Sequence, residues 1–252
     1  MDASIVTLGS PPTREATQYA ASLAQLLAAR LLPATLAEGP AGSAAPPRLA
    51  VHCPAASADG LRPLPACEAS SASGALLLVL PRPPAEQLAR QAQRTLQAST
   101  LPVLMVPSPA AGRMPPRRIA LAAEGEPFVV AQGLRTMHAL LLTLPTRLTV
   151  LHAQRPHALY SGADALHAVQ SCGLALRHLT IDACDVPAPD PAAGILAGVQ
   201  QVAADLLVVP VRARNRWGAG FAGSVTARVL AQSPVPVLLL PVSSPHEERQ
   251  VA

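Results

Sequence analysis

Two stretches of this chain close in the same way. Residues 95–107 read TLQASTLPVLMVP and residues 229–241 read VLAQSPVPVLLLP, and Leu96 matches Leu230 at the same separation as Pro102 matches Pro236. Each is preceded by an apolar run ending in proline, ALLLVLP at 75–81 and DLLVVP at 205–210. Each half also opens on a shorter run, SIVTL at 4–8 and RIALA at 118–122. Similarity repeated in one order marks a duplicated structural unit and outranks any local motif. The 252 residues therefore divide into two units of ordinary domain size.

Composition narrows the class of each unit. Half of the chain is hydrophobic and only 13% is charged, against about 25% in typical soluble proteins. That excludes a disordered chain and a charged coiled coil. Aromatic residues make up 2%, so the core is built from Leu, Val, Ile and Ala. The 28 prolines cannot sit inside many helices or central strands and should mark junctions. The net charge of +4 comes without any block of five or six like charges, which speaks against a nucleic-acid-binding arm. All 19 basic residues are arginine, which together with heavy Ala and Pro usage reads as coding bias. Cys53, Cys67, Cys172 and Cys184 form no CxxC pair and no zinc spacing with histidine, so reduced, partly buried thiols are expected. The N-terminus lacks a basic region before an apolar stretch, and the longest apolar runs are far short of the roughly 18 residues of a membrane span. The expectation is a cytoplasmic protein without a membrane partner.

The second half alternates strands and helices. Strands are expected at 118–122, 147–153, 174–181, 205–211 and 235–242. A helix over 126–142 would carry Pro127 in its first turn, with Val130, Leu134, Met137 and Leu141 at helical spacing. Further helices are expected at 164–172, stopped by Gly173, and after Asp190 and Pro191 as N-cap and first-turn proline. The last is expected at 223–232. Such alternation implies a parallel sheet covered on both faces. The first half follows the plan less closely. Helices are expected at 13–31 and 84–98, and the Pro-, Ala-, Gly- and Ser-rich stretch 32–74 offers one strand, at 48–52.

On these residues the second half resembles the universal stress protein family. The resemblance is carried by IALAAEGE at 119–126, LTVLHA at 148–153 and ADLLVVP at 204–210, and most specifically by GSVTARVLAQSPVPVLLL at 223–240. It implies two tandem universal stress protein-like domains, at 1–107 and 117–243, joined by a linker at 108–116 and followed by a tail at 244–252. Each would be a five-stranded, mostly parallel sheet flanked by helices, with the N-terminal one eroded. It also implies that last strands pair between domains, so the chain would form an intramolecular pseudo-dimer; homodimerisation is left open.

Many members of the family bind ATP, using an acid after the first strand, backbone at the end of the second and a glycine-rich loop after the fourth. Glycines let backbone N–H groups approach phosphate, and a following helix N-terminus favours negative charge. The matching positions are Glu124, Ala153 (with neighbouring His152), and Gly223 and Ser224. The departures weaken the match. Where the family's loop places its first two glycines, this chain has Pro210 and Ala213. Proline lacks an N–H and fixes φ, so it cannot cradle phosphate as glycine does. Arg212, Arg214 and Arg216 occupy the loop, either as charge-assisted phosphate ligands or as solvated side chains. In the first half the equivalent loop, LPRPPAE at 80–86, has no glycine, and no acid follows the first strand. No nucleotide is expected there.

The resulting expectation is a stress-response or regulatory binding protein, not an enzyme. It would hold a weakened or lost adenine-nucleotide site in its second half. A weak ATP hydrolase using Glu124 to position water is the alternative. A nucleotide-binding electron-transfer or adenylate-forming domain of similar topology is disfavoured by the missing glycine-rich loop after the first strand. His152 reads as a strand-end structural residue or a pocket residue. Glu124 and Glu126 read as an acid pair or as helix-cap partners, and Trp217 and Phe221 as core or as ligand cover. His138 and His167 lack metal spacing, and no metal is expected.

Overall fold

The computed structural model describes residues 3–8, 13–37, 48–52, 63–64, 74–130, 133–143, 147–174, 179–212, 221 and 223–245. The apolar runs form strands β1 (Ser4–Leu8), β2 (Arg30–Ala37), β3 (Arg48–His52), β4 (Pro63–Leu64), β5 (Ala75–Pro81) and β6 (Val103–Val106) in the first half. The second half supplies β7 (Arg118–Ala122), β8 (Arg147–Gln154), β9 (Ile181–Pro187), β10 (Leu206–Arg212) and β11 (Val237–Val242). Helices are α1 (Arg14–Leu26), α2 (Ala85–Ala98), α3 (Leu134–Thr143), α4 (Gly162–Ser171), α5 (Pro191–Gln201) and α6 (Val225–Gln232).

All the described strands join one sheet in the order β4-β3-β2-β1-β5-β6-β11-β10-β7-β8-β9. The second half is parallel throughout. Its order, third-second-first-fourth-fifth strand, is that of a doubly wound α/β fold. The first half repeats the order from the other direction in β2-β1-β5-β6, which is also parallel. The halves meet where β6 and β11 pair antiparallel, with Leu104 opposite Leu238.

Alternation along the central strands sorts side chains onto two faces. Leu207, Val209 and Val211 of β10 join one core with Leu88 and Leu96 of α2, Ile195 and Val199 of α5, and Val229 and Leu230 of α6. Leu206 and Val208 join the other, with Leu23 of α1, Met137 and Leu140 of α3, and Val169 of α4. Both cores run across the β6–β11 junction, so the two halves share their hydrophobic interior.

Four expectations are corrected. The helix expected over 126–142 begins only at Leu134, because Val129 exchanges backbone hydrogen bonds with Ser243 and holds this stretch extended. The strand expected at 174–181 is instead β9, in register with β8 from Leu148 opposite Ile181 to Gln154 opposite Pro187. An edge strand has one solvated side, so its Asp182 and Asp185 hide it from a search for apolar runs. The helix expected to reach residue 31 stops at Leu26, and β2 follows. Ala28 takes a positive φ of 48° without the glycine that usually announces such a stop. The stretch 32–74 contributes to three strands rather than one, and β3 and β4 add antiparallel pairing to the first half.

Candidate functional site

In a doubly wound sheet, ligands enter outside the carboxyl ends of the strands where the strand order reverses. In the second half that point lies between β7 and β10. Here Ala123 donates its N–H to Leu151 O at 3.0 Å, and Gly125 turns the chain at φ +98°. A Cβ on Gly125 would stand 2.4 Å from Tyr160 Cβ, so the close approach requires glycine. Glu124 leads into this turn with its side chain exposed.

An internal ion pair bridges this reversal point, the crevice position of the fold. Arg212, the last residue of β10, pairs through Nη1 with the Glu126 carboxylate, and its Nη2 donates to Glu126 O at 3.3 Å. The Arg212 side chain is 15% exposed and that of Glu126 33%. By strand alternation Arg212 falls on the face of Leu206 and Val208, the side of α3 and α4. An anion seeking this guanidinium must therefore compete with Glu126. Because α3 starts at Leu134, Glu126, in the segment after β7, is the ion-pair partner of Arg212 and not a helix cap.

Ser224 and Gly223 lie at the start of α6, which packs on the opposite face. Ser224 is the N-cap: its Oγ accepts from Ala227 N at 3.2 Å, and its N–H donates to Phe221 O at 3.0 Å. Gly223 is exposed, and a Cβ there would meet nothing within 4 Å. Arg228, one turn along, makes a two-pronged pair with the Asp190 carboxylate, Nη1 to Oδ1 at 2.9 Å. That bonding, with α5 backbone N–H groups, holds Asp190 below the usual carboxylate range. Asp190 is also the N-cap of α5, accepting from Ala192 N and Ala193 N as its sequence position implies. Ala153 lies half-buried against α5, where a Cβ on Gly194 would come within 2.8 Å of its own.

The structure thus places Glu124 beside the β7–β10 crevice, Arg212 within it, Ala153 under α5, and Gly223 with Ser224 at the head of α6. Arg214, Arg216 and Trp217 lie outside the described residues. Phe221 is 3% exposed and belongs to the core. The Arg212–Glu126 pair is the feature that sequence reading did not find; its two members are 86 residues apart and join only when β7 and β10 become neighbours.

Two concavities lie away from the crevice. One, of about 460 Å³, is lined by Gln154–His157 and Pro187–Pro189 at the ends of β8 and β9. The other, of about 320 Å³, is lined by Arg82–Ala85, Leu88, Ser108 and Ala231 at the boundary of the halves. His152 is 3% exposed with Nδ1 3.2 Å from Ala123 O; a carbonyl can only accept, so Nδ1 carries the proton. His138 Nε2 lies 3.0 Å from Gly173 O. Cys172 and Cys184 are free thiols, both pushed up first of all by burial. Cys53 and Cys67 lie outside the described residues. Among the described residues no group of three or more His, Cys, Asp or Glu side chains could hold a metal ion. Nor is any described helix long and apolar enough to cross a membrane.

The strand order defines a doubly wound α/β protein whose order reverses between β7 and β10. The model of the universal stress protein family matches residues 116–241, half of the chain. The chain belongs to the universal stress protein family. A universal stress protein from Archaeoglobus fulgidus DSM 4304 is similar in structure at 16% identity and a TM-score of 0.42, covering 66% of this chain and 60% of that one. A functionally unknown protein from Pseudomonas aeruginosa PAO1 is similar at 18% identity and a TM-score of 0.47, covering 95% and 81%. This chain thus spans less than two thirds of the Archaeoglobus protein's length. Comparison with curated protein sequences finds no match.

Proposed function

We propose that this is a non-catalytic regulatory binding protein whose second half keeps a weakened adenine-nucleotide site. The first half serves as its structural partner and takes no nucleotide. The observation that carries the reading is the Arg212–Glu126 ion pair seated at the strand-order reversal. The crevice is built where the fold binds ligands, and a protein carboxylate already occupies its cation. Glu124 and the backbone at Ala153 would contact the nucleoside, and Gly223, Ser224 and the α6 N-terminus, on the other side of the strand ends, the phosphates. Arg212, with Arg214 in the loop that follows, would add charge once released from Glu126.

Titration calorimetry with Mg·ATP on the purified chain tests this. Binding in the high-micromolar to millimolar range that weakens in Ser224→Ala is expected. The absence of any heat at millimolar ATP would leave the nucleotide reading without support, and nanomolar binding would contradict the weakening.

A further inference from the structure

Residues 80–86 close β5 and follow it in the chain as the candidate phosphate loop follows β10, and one of them contacts the second half. Arg82 Nη1 donates to Ser233 O at 2.6 Å and to Leu230 O at 3.3 Å. These carbonyls belong to the last turn and C-cap of α6. Such carbonyls lack intrahelical partners, and a cation beside them complements the helix dipole. The guanidinium has a rigid mount, because Arg82 N donates to Val106 O at 2.7 Å and Pro83 and Pro84 fix the chain that follows.

Helix α6 has eight residues and is about 12 Å long, so its two ends lie only about two turns apart. Arg82 holds its C-terminal end from the first half. Arg228 ties its middle to Asp190 at the head of α5. Its other end is the Gly223–Ser224 turn. We propose that Arg82 is the positioning residue through which the first half sets the placement of α6, and with it the turn at its N-terminus. This deepens the nucleotide reading and rests on it for the affinity measurement only.

The test uses the full chain as wild type, Arg82→Ala and Arg82→Lys, with hydrogen exchange across α6 and Mg·ATP calorimetry. Should Arg82→Ala not fold, Arg82→Gln, which keeps the stem and a weaker donor, replaces it. In Arg82→Ala, exchange in α6 is expected to quicken roughly tenfold while the β7–β10 strands keep wild-type protection. ATP affinity is expected to fall roughly three- to tenfold, and Arg82→Lys, which keeps a cation at the helix end, to restore most of both. Unchanged exchange in α6 overturns the proposal. So does a rise spread evenly through the sheet, a failure of lysine to rescue, or altered exchange with wild-type ATP affinity. If the wild type binds no ATP, the nucleotide reading fails by itself, and exchange with lysine rescue still decides whether Arg82 places α6.

Discussion

Asp205 and Arg118 are bonded in both directions: Asp205 N donates to Arg118 O at 2.8 Å, and Arg118 N donates to Asp205 Oδ2 at 3.0 Å. The same carboxylate accepts Arg117 N and Arg113 N, each at 3.0 Å. Asp205 is 2% exposed. Gly112 packs so tightly on it that a Cβ would stand 2.9 Å from Asp205 O. One acid ahead of β10 thus fastens the connection between the halves onto the start of β7. Replacing it with alanine is expected to cost about 2–3 kcal/mol, because three backbone donors lose a charged acceptor. Urea denaturation gives the value, and a loss under about 0.5 kcal/mol, the scale of an ordinary surface change, would refute the fastening role.

The same residue sets a pH dependence. Burial pushes Asp205 up, but the three N–H donors and Arg118 outweigh it and hold the carboxyl below its ordinary value. A folded value below the unfolded one stabilises the fold above the unfolded pKa of about 3.9. The stabilisation fades as pH falls through the folded value. Wild type should therefore exceed Asp205→Asn by a constant margin from about pH 5 to 7, and the margin should close below about pH 4. A margin that widens on acidification would reverse the assignment.

The junction of the halves rests on Leu104 and Leu238, 2% and 1% exposed and opposite each other between β6 and β11. Leu104→Ala leaves a cavity between strands of both halves and should cost about 2–5 kcal/mol. Because both cores cross this line, chemical unfolding should stay a single transition followed alike by probes in either half. Two separated transitions in the wild type would show that the shared cores do not couple the halves.

Releasing Arg212 is the direct test of the occupied crevice. Glu126→Gln removes the competing charge while keeping the side chain's size. Affinity for Mg·ATP should rise about tenfold, equivalent to about 1.4 kcal/mol, as measured by calorimetry. Unchanged or lower affinity would mean that Arg212 takes no part in binding phosphate.

Ser224 separates capping from ligand binding. Ser224→Ala should destabilise the protein by about 1 kcal/mol through loss of the N-cap. Ser224→Asp keeps a capping oxygen but adds negative charge. It should preserve the melting temperature while abolishing nucleotide binding. If both variants bind ATP like the wild type, the head of α6 is only structural.

The central strands, the start of α5 and the end of α4 were legible in the sequence because each is written in neighbouring residues. Apolar runs bounded by proline gave β5, β6, β10 and β11. Asp190 with Pro191 marked the start of α5, and Gly173, at φ +97°, the end of α4. Local pattern failed where a distant partner decided. Val129 is extended because Ser243 bonds it, β9 pairs through an edge register that no apolar run announces, and α1 stops at an alanine with positive φ. The candidate site divides in the same way. Ser224 falls inside the helix expected at 223–232, and the structure makes it the N-cap, a short-range role in which a side chain satisfies donors two or three residues ahead. The Glu126–Arg212 pair, the Asp205 staple and the hold of Arg82 on α6 join residues separated by 86 to 151 positions. Periodicity and caps are short-range and can be read along the chain. The electrostatic contacts exist only once the sheet has chosen its strand order, and that choice depends on burying both faces of the sheet at once.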